Sequence, residues 1–199
     1  MRVISGTARG RPLRAAPETR PTADLVKGAI FSMLEALAYK RGFEPDEDGN
    51  LAAALAWPHV LDLFAGSGAV GIEALSRGAQ SAEFVEQDRE AVRIIQSNLR
   101  STGLDEHARV HQTSVSAALR NVRGPIDLVF IDPPYADDGV LDSALKTLAA
   151  LPLLQPTSVV VLEQPSTADP PSKVGDLPQS STRRHGRTRI TLYADDTHS

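Results

Sequence analysis

Three glycines that directly follow a short apolar stretch constrain the fold of this 199-residue chain more than any other feature. The segment Leu61–Gly71, LDLFAGSGAVG, holds the pattern G-x-G-x-x-G between a predicted buried strand and a predicted helix. In that setting, glycines allow a tight turn and let a ligand approach the backbone closely. The segment therefore predicts a strand–turn–helix unit with a nucleotide-type ligand site at the turn.

The rest of the chain alternates between strand-like and helix-like apolar patterns. Predicted strands cover 60–64, 82–86, 109–112, 127–131 and 158–162, and predicted helices cover 23–39, 69–78, 88–102, 115–122 and 139–151. Val3-Ile4 and Leu13 suit a short hairpin. A last strand, Ile190–Tyr193, is expected to pair with residues near 181–185, and the Pro- and Ser-rich stretch 165–182 is expected to be a mobile loop. This order predicts an α/β, Rossmann-like fold: a mostly parallel sheet flanked by helices, with a final antiparallel strand.

Composition excludes several classes of protein. Without cysteine, the chain has no disulfide scaffold, thiolate metal site or cysteine nucleophile. No apolar stretch approaches the roughly 20 residues that span a bilayer, and the N-terminus does not look like a secretory signal, so we expect a cytoplasmic protein. The net charge is −4, yet arginines gather in 1–20 and 183–189, which indicates either a local patch for a polyanion or an ordinary solvated surface. No exposed heptad or apolar stripe is evident, so we expect a monomer.

An acidic residue at the expected distance supports the ligand site. Glu86 lies 20 residues after Gly66, at the end of a predicted strand, where a carboxylate binds ribose hydroxyls. The loop suits a dinucleotide or S-adenosylmethionine. Asp62 favours the latter, because a carboxylate here accepts bonds from loop amides or lies near the ligand's ammonium group, and it disfavours a diphosphate. Asp88 stands close to Glu86, but no histidine lies at ligand spacing, so we expect a ribose clamp and no metal.

The second motif, Asp132-Pro133-Pro134-Tyr135, follows a strongly apolar predicted strand. Two prolines hold the backbone extended and remove two donors, so the Pro133 carbonyl is left as an acceptor beside the Asp132 carboxylate. Two acceptors and a flat tyrosine ring suit an exocyclic amine on a nucleobase. They hold both N–H groups and stabilise the positive charge that grows as the nitrogen takes a methyl group. Alone, the motif fits a turn with a helix N-cap equally well; with the glycine loop and Glu86 it indicates amino-methyl transfer.

These motifs resemble those of class I S-adenosylmethionine-dependent amino-methyltransferases, and the N-terminus is more specific. Its segments Arg2–Gly6, Arg9-Gly10-Arg11 and Arg20-Pro21-Thr22, with the stretch Leu61–Ala79, resemble the RsmD family of bacterial 16S rRNA guanine-N2 methyltransferases. The resemblance extends from residue 2 to about 163 and to the ending Gly186–Tyr193. It implies the class I methyltransferase fold, S-adenosylmethionine as cofactor, and methylation of the 2-amino group of guanine 966 in 16S rRNA.

The resemblance also implies roles for individual residues. The base is gripped by the second motif, Asp132, Pro133, Pro134 and Tyr135. The cofactor is bound around its methionine part by Asp62, Ala65, Gly66, Ser67 and Gly68, at its ribose by Glu86, and at its adenine ring by Ser114. Phosphates of the rRNA are expected to bind the N-terminal arginines Arg9, Arg11, Arg14 and Arg20. Arg20 and Thr22 lie before a helix that is expected to cover the cofactor, and Thr22 is equally well explained as a plain N-cap.

This interpretation divides the chain into three parts: a basic N-terminal extension with its helix (1–41), a connecting loop or insertion (42–58) and an S-adenosylmethionine-binding catalytic domain (59–199). The acidic start of 42–58 and the Pro-rich stretch 165–182 depart from the family pattern. The expected substrate is 16S rRNA within the small ribosomal subunit or an assembly intermediate, because a short chain with two basic patches needs ribosomal proteins to present the base.

Three other functions stay open. A DNA adenine or cytosine amino-methyltransferase shares both motifs, although such enzymes usually carry a recognition domain for which this length leaves little room. An NAD-dependent oxidoreductase would use the glycine loop and leave the second motif without a role. A non-catalytic rRNA-binding assembly factor would retain the motifs without turnover.

Overall fold

The structure is a computed structural model that describes residues 1–15, 23–44, 56–134 and 138–195. Its strands are β1 (His59–Leu63), β2 (Ser81–Glu86), β3 (Ala108–Gln112), β4 (Ile126–Ile131), β5 (Leu154–Pro165), β6 (Lys173–Val174), β7 (Leu177–His185) and β8 (Thr188–Tyr193). Its helices are α1 (Ala23–Lys40), α2 (Ala69–Ser76), α3 (Arg89–Thr102), α4 (Val115–Leu119) and α5 (Asp138–Ala150), with a 3₁₀ turn at Asp105–His107. One sheet holds the strands in the order β3-β2-β1-β4-β5-β8-β7-β6.

Strands β1 to β5 run parallel, and their side chains alternate between two apolar cores. Val60 of β1 packs in the core shared with α1, α2 and α3, whereas its neighbour Leu61 packs in the core shared with α4 and α5. The predicted parallel sheet covered on both faces is therefore confirmed. In such sheets ligands bind beyond the carboxyl ends of the strands. Here that edge lies where Leu63 ends β1 and Ile131 ends β4.

The helix after β2 begins and ends close to the predicted bounds. Asp88 is its N-cap, and the Oδ1 atom accepts the Ala91 N–H at 2.8 Å. Gly103 ends the helix in the left-handed region with φ of 74°. The carboxylate of Asp88 therefore stabilises a helix terminus.

Residues 1–13 form the predicted hairpin, here called the N-terminal hairpin. The Val3 N–H donates to the Arg11 carbonyl at 3.0 Å. The turn of this hairpin lies against Ser76 at the end of α2. Gly6 has φ of 82°, and a Cβ atom at this position would lie 1.8 Å from the Ser76 carbonyl oxygen. Only glycine fits so close an approach in this backbone conformation.

A buried carboxylate on α2 fastens the N-terminal hairpin. Glu73, with 0% of its surface exposed, accepts the N–H groups of Ile4 at 2.8 Å and Ser5 at 2.9 Å. It also pairs with Lys27 Nζ at 3.1 Å and Arg77 Nε at 2.9 Å. A charge removed from water is tolerated when it is paired and hydrogen-bonded, and breaking such a pair is costly. The network therefore locks the N-terminus to the helix that follows the glycine loop.

The prediction of a mobile loop over 165–182 is wrong. Strand β5 continues to Pro165, and β6 and β7 occupy much of the stretch. Most side chains of β7 are exposed, because the two-residue β6 leaves most of β7 at the sheet edge. An edge strand needs no apolar pattern, so its sequence looks like a loop, and its conformation comes from pairing with β8. The predicted pairing of 181–185 with the last strand is confirmed, and β6 adds a third strand to the antiparallel part that the sequence did not predict.

Within the described ranges, no helix is both long and apolar enough to cross a membrane. The division into 1–41, 42–58 and 59–199 stays a prediction, although residues of α1 and of the N-terminal hairpin share one core with the sheet. Most of the connecting stretch, residues 45–55, lies outside the described residues.

Candidate active site

The glycine loop turns sharply between β1 and α2, as its pattern predicts. Phe64 has φ of 61°, which is rare for a bulky residue, and Gly66 and Gly68 have φ of 54° and 74°. The Ala65 N–H donates to the Val85 carbonyl at 3.0 Å and ties the loop to β2. The turn is held in a strained form at the carboxyl edge of the sheet, where such strain often marks a functional site.

Asp62 lies buried behind this loop. Its Oδ2 atom accepts the Gly71 N–H at 3.0 Å. A Cβ atom on Gly71 would lie 2.4 Å from the Phe84 ring, so this glycine serves close helix–strand packing. Burial raises the pKa of Asp62 from 3.8 to about 7; the Gly71 hydrogen bond opposes this rise, and the negative charge of Glu86 adds to it. The carboxylate thus accepts an amide of the glycine segment, while its contact with a ligand's ammonium group stays a prediction.

Glu86 connects the loop to the start of α3. Its Oε2 atom accepts the Gly66 N–H at 2.8 Å, and its Oε1 atom accepts the Asp88 N–H at 2.8 Å. Each carboxylate oxygen has two lone pairs, so both oxygens retain the capacity to accept a ligand hydroxyl. This residue therefore fits the ribose-binding role that the sequence predicts.

A cavity of about 530 Å³ opens beside these residues at the carboxyl edge of the sheet. This volume is within the range of roughly 300–1,000 Å³ that small-molecule sites occupy. The described residues that line the cavity are Phe64, Val85, Glu86, Gln87, Asp88, Thr113, Ser114, Val115, Ser116, Asp132, Pro133, Pro134, Gly139, Val140 and Ser143. The fold therefore brings the end of β2, the start of α4 and the second motif around one space. Five predicted cofactor residues do not line it: Asp62, Ala65, Gly66, Ser67 and Gly68.

The second motif forms one wall of this cavity. Pro133 is buried, whereas Asp132 and Pro134 on either side of it are exposed. Tyr135 lies outside the described residues. On the opposite side, Ser114 follows β3 as the N-cap of α4, and its side chain makes no capping bond. The carboxylates of Asp132 and Glu86 therefore border the same cavity, with Asp132 on the wall of the second motif and Glu86 beside the glycine loop.

Asn98 is a residue of this region that sequence reasoning missed. It is 1% exposed, and its Nδ2 atom donates to the Ser67 carbonyl of the glycine loop at 2.9 Å. The same side chain accepts the Arg14 N–H at 2.8 Å and donates to the Arg14 carbonyl at 2.9 Å. The signal in the sequence was its position on the apolar face of the predicted helix 88–102, four residues after Ile94. Asn98 therefore joins the basic N-terminus to the glycine loop.

The predicted RNA-binding arginines separate into two places. Arg9 and Arg11 are exposed on the N-terminal hairpin, whose turn contacts the end of α2 and hence the amino edge of the sheet. Arg14 is also exposed, but its backbone lies beside Ser67 at the carboxyl edge. Arg20 and Thr22 lie outside the described residues. The three described arginines therefore do not share one edge of the sheet.

Comparison with known proteins identifies the family. The family model described as "Conserved hypothetical protein 95" matches residues 1–194. The candidate rRNA methyltransferase YlbH of Bacillus subtilis (strain 168) is 36% identical over 202 residues, which cover 97% of this chain and 98% of the relative. The ribosomal RNA small subunit methyltransferase D of Escherichia coli (strain K12) is 34% identical over 150 residues, which cover 74% of this chain and 66% of the relative.

Solved structures agree with these relatives. The candidate methyltransferase yhhF from Escherichia coli is 28% identical, with a TM-score of 0.76 over 97% of this chain and 96% of that chain. The candidate methylase HI0767 from Haemophilus influenzae is 27% identical, with a TM-score of 0.73 over 98% of this chain and 97% of that chain. The predicted fold and the predicted enzyme class are thereby confirmed. Because the family match spans both motifs and nearly the whole length, the chain belongs to the conserved hypothetical protein 95 family, that of the RsmD-type class I methyltransferases.

Proposed function

We propose that this methyltransferase transfers a methyl group from S-adenosylmethionine to the exocyclic N2 of a guanine in small-subunit rRNA. The observation that carries the proposal is that Glu86, Asp132 and Pro133 line the same cavity, with Glu86 on one side and the other two on the opposite side. The rRNA substrate is supported by the names of the relatives from Bacillus subtilis and Escherichia coli. The proposal includes a cytoplasmic monomer that acts on a partly or fully assembled small subunit.

The residues around the cavity fit S-adenosylmethionine. Glu86 offers remaining lone pairs at the glycine loop, which suits a ribose with two hydroxyl donors. The exposed Ser114 on the wall opposite the second motif is placed to contact an adenine ring. When bound, this cofactor supplies a methyl group on a positively charged sulfur. The chain therefore needs no nucleophile of its own and contributes orientation and electrostatic stabilisation.

The second motif would hold the accepting amine. The Asp132 carboxylate accepts one N–H of the base, and the carbonyl of Pro133 accepts the other. Together they turn the nitrogen lone pair out of conjugation with the ring and towards the methyl group. As the new N–C bond formed, the bond from the methyl group to sulfur would break and S-adenosylhomocysteine would leave. Positive charge would grow on the nitrogen, where the Asp132 carboxylate would stabilise it. The proton then leaves to water, and Tyr135 would stack on the base.

The deciding experiment is transfer of labelled methyl from S-adenosylmethionine to small subunits that lack the modification, followed by identification of the labelled nucleoside. We expect N2-methylguanosine at one position, and less turnover on deproteinised 16S rRNA. Equal turnover on both substrates would contradict the preference for an assembled subunit. Label in DNA alone, or no transfer despite cofactor binding, would contradict the proposed reaction.

The role of Asp132 is tested by Asp132→Ala and Asp132→Asn. Loss of one preorganised group that stabilises transition-state charge lowers kcat roughly 10²- to 10³-fold, and we expect this for both variants. Cofactor affinity should stay near that of the wild type, because Glu86 and the glycine loop are unchanged. Asp105→Asn, in the exposed 3₁₀ turn at the amino edge, is the matched control and should retain full turnover. Normal turnover of Asp132→Ala would remove this residue from the mechanism.

A further inference from the structure

We propose that the tip of the β7–β8 hairpin, residues 183–187, binds phosphates of the RNA strand that flank the target nucleotide. This inference rests on the proposed function and extends it to a surface for which the sequence left open a polyanion patch or an ordinary solvated surface. The tip carries three exposed arginines, Arg183, Arg184 and Arg187. Four properties of the tip support the proposal. The tip lies at the carboxyl edge of the sheet, its arginines form no ion pair with a carboxylate of the described residues, its backbone is held in place, and it lies within reach of Asp132.

The sheet register places the tip at the carboxyl edge. Ile131 is the last residue of β4, and it is aligned with Leu162 of β5. The same row continues through Thr191 of β8 to Thr182 of β7. Asp132 directly follows Ile131, so it lies level with the next row towards the carboxyl edge, and that row contains Arg183. The turn at Gly186 and Arg187 projects further beyond that row, on the side where the cavity opens.

The reach from the base site to the tip suits a nucleic acid strand. Three strand spacings of about 4.8 Å separate β4 from β7, so the backbones of Asp132 and Arg183 are about 14 Å apart. A stacked strand carries one phosphate per about 3.4 Å of its axis, so this span corresponds to about four nucleotides. An RNA whose base enters the cavity would therefore carry phosphates at the level of the tip.

The charge of the tip lacks compensation from the protein. In the described part of the chain, no carboxylate forms an ion pair with Arg183, Arg184 or Arg187. Arg184 is also aligned with Arg189 across the hairpin, so two positive side chains share one face. The Arg189 guanidinium lies 3.8 Å from the exposed Asp169 carboxylate, which offsets part of this repulsion, whereas Arg184 has no such partner among the described residues. Like charges directly opposite each other destabilise a strand pair, and a bound anion relieves the remaining repulsion. Guanidinium groups match phosphate oxygens in geometry as well as in charge.

The tip is also held in place before any ligand binds. Arg189 is 7% exposed, and its guanidinium donates to the carbonyls of Ala168 and, at 2.9 Å, Ser166. The Ser166 N–H in turn donates to the Arg187 carbonyl at 2.7 Å. The hairpin is therefore braced by the segment that follows β5, and little backbone entropy is lost on binding.

The test compares two triple variants with equal charge changes. The tip variant combines Arg183→Gln, Arg184→Gln and Arg187→Gln and so removes the three positive charges of the tip. The control variant combines Arg100→Gln, Arg120→Gln and Arg123→Gln. These three arginines are also exposed, but they lie outside the carboxyl edge, near the ends of α3 and α4 and before β4. Affinity for deproteinised 16S rRNA and for small subunits is measured over a salt series. Three phosphate contacts on a single strand contribute about 2 to the slope of log K against log salt.

We expect the tip variant to bind both RNA substrates at least about tenfold more weakly than the wild type and to lose about 2 from the salt slope. Its kcat and its affinity for S-adenosylmethionine should not change, and the control variant should behave like the wild type. Equal affinity of the tip variant and the wild type, or equal weakening in both triple variants, would overturn the inference. If the wild type binds rRNA without methyl transfer, the proposed function fails, and the binding data still decide the role of the tip.

Discussion

The two basic hairpins of this protein look alike in sequence and differ in where the fold places them. The turn of the N-terminal hairpin contacts Ser76, at the end of α2, and so lies at the amino edge of the sheet. The tip of the β7–β8 hairpin extends past the row of Asp132 at the carboxyl edge. Clustered arginines therefore predict a polyanion patch but not its distance from the reacting atoms.

The hairpins also differ in what holds them. Buried side chains fix the N-terminal hairpin: Glu73 binds its amides, and Asn98 binds the backbone of Arg14, the residue that directly follows the hairpin. Backbone pairing of β8 with β5 fixes the β7–β8 hairpin, with Arg189 as an added brace. We therefore expect single substitutions to affect the first hairpin more strongly than the second.

The largest expected effect is from Gly6→Ala. The added Cβ atom would lie 1.8 Å from the Ser76 carbonyl oxygen, and φ of 82° already disfavours a side chain. We expect the free energy of unfolding in urea to fall by about 5 kcal/mol. Gly10→Ala is the control: its φ is 83°, but no atom lies within 4 Å of the added Cβ, so the loss should be about 1 kcal/mol. Equal losses in the two variants would contradict the tight docking of the N-terminal hairpin.

The second prediction concerns Asp62, which supports α2 and hence the N-terminal hairpin. Its pKa is raised to about 7 in the folded state, so the folded protein binds more protons than the unfolded chain between pH 4 and 7. The contribution of Asp62 to stability is therefore fully present below pH 4 and is lost as the pH rises to 7, by roughly 4 kcal/mol.

Asp62→Asn keeps an acceptor for Gly71 and removes the titration. Unfolding measured from pH 4 to pH 7 should show the wild type losing stability relative to this variant as the pH rises. A constant difference between the two proteins across this range would exclude the raised pKa.

A smaller effect is expected from Asn98→Ala, which leaves the Arg14 N–H without its partner. We expect a loss of about 2 kcal/mol in unfolding free energy and weaker binding of S-adenosylmethionine, because the Ser67 carbonyl also loses its donor. Asn121→Ala, at an exposed position, should change neither by more than about 0.5 kcal/mol. Normal cofactor affinity in Asn98→Ala would show that this link does not reach the ligand site.

The smallest expected effect is from Arg189→Gln in the second hairpin. The substitution removes the brace on the carbonyls of Ser166 and Ala168 and the ion pair with the exposed Asp169, but it also relieves the repulsion with Arg184. Because these terms oppose each other, we expect a net loss of about 1 kcal/mol. Hydrogen exchange at the Ser166 amide should accelerate. A loss as large as that of Gly6→Ala would erase the difference between the two hairpins.

Most of the fold could be predicted because the sequence carries it locally. Apolar periodicity identified the five parallel strands, and the helix predicted over 88–102 is observed as α3, Arg89–Thr102. The glycine loop and Glu86 were recognisable as one unit, and the structure joins them through the bond from Gly66 to Glu86. The roles assigned to the site residues stay predictions, and Tyr135 and Arg20 lie outside the described residues.

The sequence by itself determined the order of the parallel strands and their helices, the sharp turn before α2 and the position of the second motif directly after β4. Each of these features depends on residues that are neighbours in the chain. Only the tertiary structure decided that polar residues 177–185 form a strand, that Glu73 and Asn98 fasten the N-terminus, and that the two basic hairpins point to opposite edges. These features depend on pairing and burial between segments far apart in the chain, and no local pattern records such contacts.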